Sequence, residues 1–136
     1  MSKSVFIYEL PLRTTPHDER MLNIRFNCAR MLYNACLGEG IRRLDLMRER
    51  TLWQKARKST NKKERKELFG LLQKEAGLSD YGLQAFAIRT KNNSSIADHL
   101  DAHSTQKVAT RAFKAISQYM FGKRGRPRSE ILPVYA

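Results

Sequence analysis

Thr15-Pro16-His17-Asp18-Glu19-Arg20-Met21-Leu22 opens the stretch that decides the fold, and it runs on through Phe26, Cys28-Ala29-Arg30, Leu32-Tyr33-Asn34 and Cys36-Leu37. Thr15 offers a hydroxyl to cap a helix, and Pro16 has its φ already set for the first helical position. Asp18 and Glu19 would face the positive end of the helix dipole. Behind this start, Met21, Leu22, Phe26, Ala29, Leu32, Tyr33, Cys36 and Leu37 recur at spacings of three and four. Such spacing predicts an amphipathic helix with its apolar stripe against a core. Gly38 and Gly40 weaken the pattern, which resumes at Ile41, Leu44 and Met47 and reaches Trp53 at its margin. One continuous helix over 16–57 and two helices broken at the glycines both fit.

Upstream, Val5 to Leu12 reads as a β-strand. Val5, Ile7 and Leu12 face one way, Phe6, Tyr8 and Leu10 the other, and Pro11 and Pro16 end the run. Downstream, Lys55 to Asn61 reads as a basic linker. Asn61 and Glu64 have capping-box spacing before a helix with Leu68, Leu71, Leu72 and Ala76, which Gly77 stops. Ser79 starts another helix, with Leu83, Phe86 and Ala87 inward, and Lys91-Asn92-Asn93-Ser94 forms a turn. A short helix around Ile96 and Leu100 follows. A last helix runs from about Ser104 to Met120 with Val108, Ala112, Ala115, Ile116 and Tyr119 inward, and Gly122 ends it. The expected fold class is therefore mainly α, a helical bundle with a short N-terminal β-strand. It divides into 1–14 (strand), 15–121 (helical domain) and 122–136 (basic loop and tail).

The charge narrows the partners. The 26 Lys and Arg against 13 Asp and Glu give a formal net charge of +13, with a pI near 10.2. A polycation gains free energy on a polyanion by releasing its condensed counterions, which points to nucleic acid. There is no run of about 18 apolar residues to span a membrane. The start, Met1-Ser2-Lys3-Ser4-Val5-Phe6, lacks the apolar stretch of a signal peptide. The cytosol, with its nucleic acid, is the expected setting, and no membrane partner is expected. From Ala102 through Ser129 there is no acidic residue, while Lys107, Arg111, Lys114, Lys123, Arg124, Arg126 and Arg128 all fall within that span. Between Glu39 and Glu67 the cations are instead interleaved with acids, as on a solvated helix face.

Catalytic signatures are absent. No Ser or Cys sits in a recognisable nucleophile motif, no Gly-rich phosphate cradle precedes a helix, and the acids mostly occupy caps and charged faces. His99 and His103, four apart, would supply only two ligands where zinc takes three or four. Cys28 and Cys36 on one helix would lie about 12 Å apart along its axis, beyond the roughly 7 Å that a disulfide allows; buried free thiols are expected. No cofactor is expected. Arg124-Gly125-Arg126-Pro127 matches the core of an AT-hook, whose extended arginines lie in the narrow A·T-rich minor groove. Four residues match by chance often, so a basic loop that grips phosphates is the favoured reading, with the AT-hook and a merely solvated tail as the alternatives. Tyr119 and Phe121 lie beside that loop and could stack on bases, with Trp53 and Tyr81 elsewhere in the sequence, although rings at helical spacing are more often core than stacking platforms.

The order of these pieces resembles a known family. A short strand leads to Thr-Pro and acids, then Cys28-Ala29-Arg30-x-x-Tyr33-Asn34, then a helical insert. Next come Thr105-Gln106-Lys107-x-Ala109-x-Arg111-Ala112-Phe113-Lys114-Ala115 and Gly125-Arg126-Pro127-Arg128. From Val5 to Arg128 this is similar to the N-terminal portion of TnpB, the OrfB-type transposon-encoded RNA-guided DNA endonuclease, and of the type V CRISPR effectors. The resemblance implies that the strand belongs to a wedge-like β-barrel completed by sequence outside these residues, with the helices forming an inserted recognition lobe. Guide RNA, or the RNA–DNA heteroduplex, would be held by backbone and shape. It places Arg111, Lys114, Lys123, Arg124, Arg126 and Arg128 near the nucleic-acid path, with Lys107 on the same helix. Arg30 and Asn34 match the first-helix motif, either contacting RNA or packing. The family's RuvC-like carboxylates and zinc ribbon have no counterpart in these 136 residues. The resemblance therefore implies no nuclease activity in this chain alone, and a separate RuvC-like subunit as a possible partner. An independent DNA-binding regulator using the AT-hook-like loop, and a scaffold for a nuclease subunit, are the competing readings.

Overall fold

The computed structural model describes Pro11 and residues 13–130; apart from Pro11, the expected strand lies outside the described residues, as does the end of the tail. The described chain is mainly helical. It comprises α1 (Pro16–Arg48), α2 (Thr51–Lys58), α3 (Lys62–Ala76), α4 (Asp80–Asn92), a 3-10 turn at Ser95–Asp98, and α5 (Ala102–Met120). No strand occurs among the described residues.

α1 begins as its sequence dictates. Thr15 Oγ1 accepts the Asp18 N–H at 3.1 Å, and Asp18 Oδ2 accepts the Thr15 N–H at 3.1 Å, so a capping box closes the first turn. The helix then runs unbroken for 33 residues through both glycines. Gly40 is buried where α1 meets α5 and α4. A Cβ there would stand 2.1 Å from Ile116 Cδ1 and 3.4 Å from Leu83 Cδ1. The glycine is thus a contact point between helices, its cost in helix propensity offset by close packing. Gly38 is exposed with nothing within 4 Å.

Three helices form the core. α5 runs parallel to α1: Ser104 and Val108 lie by Leu22 and Phe26, Arg111 by Tyr33, Ile116 by Gly40 and Tyr119 by Arg48. α4 runs back against both, with Leu83 at Gly40 and Asp80 bonded to Thr110. Leu32, Cys36, Leu37, Leu44, Met47, Leu83 and Ile116 are at most 1 % exposed in this core, each large aliphatic contributing roughly 1.5–3 kcal/mol. α5 turns Ala109, Ala112 and Ala115 inward, small side chains that let its backbone approach. α2 and α3 form an antiparallel hairpin beside the end of α1, with Trp53 meeting Phe69 edge-to-face.

Several expectations are corrected. The break after α1 falls at Glu49 and Arg50, beyond the glycines, and it places Trp53 in α2. Lys55–Lys58 are helical, so the expected linker shrinks to Ser59, Thr60 and Asn61. Asn61 accepts from the N–H groups of Lys63 and Glu64, but Glu64 makes no return bond. α5 starts earlier than Ser104 because Asp101 caps it, its Oδ1 accepting the Ser104 N–H at 2.7 Å. That bond holds the Asp101 carboxyl below the ordinary carboxylate value. Phe26, read as part of the inward stripe, is 66 % exposed, and Leu71 of α3 is 46 % exposed. At Phe26 the helical period is right, but α5 has only just begun there. Cys28 and Cys36 are both buried and free, as expected, and burial pushes the Cys36 thiol up to about 11.

The α3–α4 turn is tied to α1 through one ion cluster. Gly77 takes φ 69°, giving a left-handed stop in which the Leu78 N–H reaches Gln73 O at 3.0 Å. Arg43 donates to Gly77 O at 2.8 Å and to Glu39 Oε1 at 2.9 Å, while Arg42 also donates to Glu39. The Arg42 bond, with the Arg43 bond behind it, holds the Glu39 carboxyl at about 2, below its ordinary 4.5. Because the folded value is the lower one, ionised Glu39 favours the fold. The contribution is complete above about pH 4.5 and is lost as pH falls toward 2. In urea titrations, Glu39→Gln should therefore lower the unfolding midpoint at pH 6, and the gap from wild type should close by pH 2. A gap that does not change with pH would remove this ion cluster from the account of acid stability.

Candidate nucleic-acid interface

The outer face of α5 carries Lys107, Arg111 and Lys114. Spaced four and three apart, they form one stripe opposite the buried Thr105, Ala109, Ala112 and Ile116. All three are exposed. Lys107 and Lys114 make no ion pair among the described residues, whereas Arg111 is engaged. Its guanidinium lies 4.2 Å from the Tyr33 ring centroid and pairs with the Glu130 carboxylate.

Gly122 then turns the chain. At φ 74° it adopts a conformation that a side chain would strain, and the Lys123 N–H closes on Gln118 O at 2.8 Å. The loop does not hang free. Arg126 donates to Asp45 at 3.3 Å with the Tyr119 hydroxyl beside it, and Pro127 is buried. At Glu130, Asn34 meets the backbone with both halves of its amide: Nδ2 donates to Glu130 O at 2.9 Å, and Oδ1 accepts the Glu130 N–H at 2.8 Å. Arg30 donates to the same carbonyl at 3.5 Å. Residues 126–130 thus run back along α1, from Asp45 toward Asn34. Four extended residues reach about 13 Å, close to the roughly 16 Å of helix between those two anchors.

The expected site residues therefore fall into two groups. Lys107, Lys114, Lys123, Arg124 and Arg128 are exposed and make no ion pair or side-chain hydrogen bond among the described residues. Arg30, Asn34, Arg111 and Arg126 contact the protein itself and dock the tail. Of the two roles open to Arg30 and Asn34, the structure supplies packing. His99 follows the 3-10 turn while His103 lies inside α5, so they share no helix face. No group of three His, Cys, Asp or Glu that could hold a metal occurs among the described residues. None of the described helices is long and apolar enough to cross a membrane.

The sequence separates Trp53 from Phe121, but the fold joins them. Arg48 links Trp53 to Tyr119, two residues before Phe121: its guanidinium is 5.7 Å from the Trp53 ring and 5.2 Å from the Tyr119 ring, and it donates to the Tyr119 hydroxyl at 3.3 Å. That bond, followed by the Arg126 guanidinium beside it, holds the Tyr119 phenol below its ordinary value. Trp53, Phe69 and Phe121 line one hollow beside the basic loop. Tyr81 is 84 % exposed and stands apart on α4. No protein-family model matches the chain, and no match is found among curated proteins or solved structures.

Proposed function

We propose that this chain is a nucleic-acid-binding module that holds a structured RNA or an RNA–DNA heteroduplex by its phosphates. It would act in the manner of the recognition part of a TnpB-like effector and cut no DNA itself. A separate RuvC-like nuclease subunit and a cytoplasmic setting belong to the same proposal. The observation that carries it is a set of exposed cations without ion-pair partners among the described residues: Lys107 and Lys114 on one helix face, continued by Lys123, Arg124 and Arg128, with no acid in the sequence between Ala102 and Ser129. Phosphates are the ligand that rewards such a row, because each contact releases a condensed counterion.

The AT-hook alternative asks for Arg124 and Arg126 together in an extended groove binder. Arg126 is held by Asp45, with Tyr119 beside it, and Pro127 is buried, which supports phosphate gripping over groove insertion. Filter binding of structured RNA against an A·T-rich duplex, repeated across salt concentrations, tests both. Lys123→Ala, Arg124→Ala and Arg128→Ala combined should weaken RNA binding about tenfold and flatten the salt slope by about 2. Equal affinity and slope would remove the loop from the interface. A clear preference for the duplex would favour the regulator.

A further inference from the structure

We propose that the hollow between the α2–α3 hairpin and the end of α5 is a pocket for one unpaired nucleobase, seated beside the phosphate row. The inference rests on the nucleic-acid reading and adds to it a site that recognises single-stranded segments.

The pocket encloses about 390 Å³ and is lined by Met47, Trp53, Arg57, Arg65, Phe69 and Phe121, with Gln73 and Met120 completing it. That volume lies within the range of about 300–1,000 Å³ usual for small-ligand sites. Trp53 and Phe69 stand edge-to-face, with centroids 5.0 Å apart and planes at 71°. They present one aromatic corner, and Phe121 supplies a third ring. Phe121 is 67 % exposed, so its ring is open to stacking by a flat guest. The rim is cationic. Arg65 lies 5.5 Å from the Phe69 centroid, Arg57 is exposed, and among the described residues no acidic one lines the pocket.

The expected guest is thus planar and apolar in body, polar at one edge for the Gln73 amide, and joined to an anion that the arginines would meet. A nucleotide has those four properties together. The neighbourhood supports the choice, since Lys123 and Arg124 follow Phe121 by two and three residues, are exposed and have no ion-pair partner among the described residues, which suits them to the adjoining phosphates. Stacking on aromatic rings beside a basic track is how single strands are held without reading their sequence.

Trp53 is the sole tryptophan and therefore reports on the pocket directly. The full chain would be titrated with a ten-nucleotide oligoadenylate, with a duplex of the same length, and with inorganic polyphosphate as a phosphate-only probe. The oligoadenylate should quench Trp53 emission in a saturable way, and polyphosphate should bind without quenching. Phe121→Ala, which removes an exposed ring and should leave the thermal melt in place, should weaken oligoadenylate binding about tenfold, within the span expected for losing one stacked base. Its polyphosphate affinity should not change. If oligoadenylate binds with Trp53 emission and Phe121→Ala affinity both unaltered, the pocket is overturned and the phosphate row stands. Equal weakening for polyphosphate also overturns it, since Phe121 would then act through the loop. No binding of any of the three probes overturns the nucleic-acid reading and the pocket with it.

Discussion

Replacing Gly40 with leucine should destabilise the protein by about 3 kcal/mol, which for a chain of this length lowers the melting temperature by about 10 °C. The reason is local. Even the first carbon of the new side chain would meet Ile116 Cδ1 at 2.1 Å, and Ile116 is fully buried, so the methyl has no solvent to rotate into. Gly40→Ala sets two effects against each other. The helix gains about 1 kcal/mol of propensity, while displacing Ile116 costs about 1–3 kcal/mol, leaving a net loss. At exposed Gly38 the same change keeps the gain and meets nothing. Chemical denaturation of the two alanine variants should therefore give shifts of opposite sign. Trimming Ile116 to valine removes the clashing methyl, so Gly40→Ala and Ile116→Val should cost less together than the sum of their separate effects. Equal stabilisation by both alanines would show that α1 and α5 do not approach as described.

Charge reversal on α5 should have the larger functional effect. Lys107→Glu with Lys114→Glu should reduce affinity for structured RNA on the order of a hundredfold at 0.15 M salt, because each change removes a phosphate contact and adds a repulsion. The salt slope should fall by at least about 1.4, two contacts at roughly 0.7 each. Both side chains are exposed and without ion-pair partners among the described residues, so the thermal melt should stay within a few degrees of wild type. Titration at several salt concentrations separates the outcomes. Unchanged affinity would move the interface off the outer face of α5. Reduced affinity with an unchanged slope would mean that the lysines act through shape and not charge.

Local chemistry was readable in the sequence, and contacts across the chain were not. Thr15, Pro16 and Asp18 announce the start of α1 because a cap involves neighbours three residues apart. Gly77 and Gly122 announce stops for the same reason. The continuity of α1 was hidden because the cause of Gly40 lies 76 positions away, at Ile116. A glycine placed for packing looks in sequence like a glycine placed for a break. Phe26 was misjudged because periodicity gives the face of a helix without saying whether a partner is present along its whole length. The cation stripe on α5 was legible from spacing alone. Nothing in the spacing marks Arg126 as engaged while Arg124 has no side-chain partner among the described residues, since the difference is made by Asp45 on another helix. The pocket needed the turn at Glu49 and Arg50 to swing Trp53 back toward Phe121, and no local signal fixes that direction.

The Asn34 clamp places an unequal burden on its two ends. A side-chain amide carries an N–H donor group beside a carbonyl acceptor, the complement of a peptide's C=O and N–H, so Asn34 grips residue 130 by its main chain. Nineteen of the twenty residue types present that main-chain pair, and proline alone lacks the N–H. Within this clamp, the side-chain information is therefore written almost wholly at position 34. Position 130 is free to drift across chemistry, and with it the choice of what Arg111 is offered. A lineage could thus tune how much positive charge α5 shows the solvent by changing one tail residue, without undocking the tail that carries it.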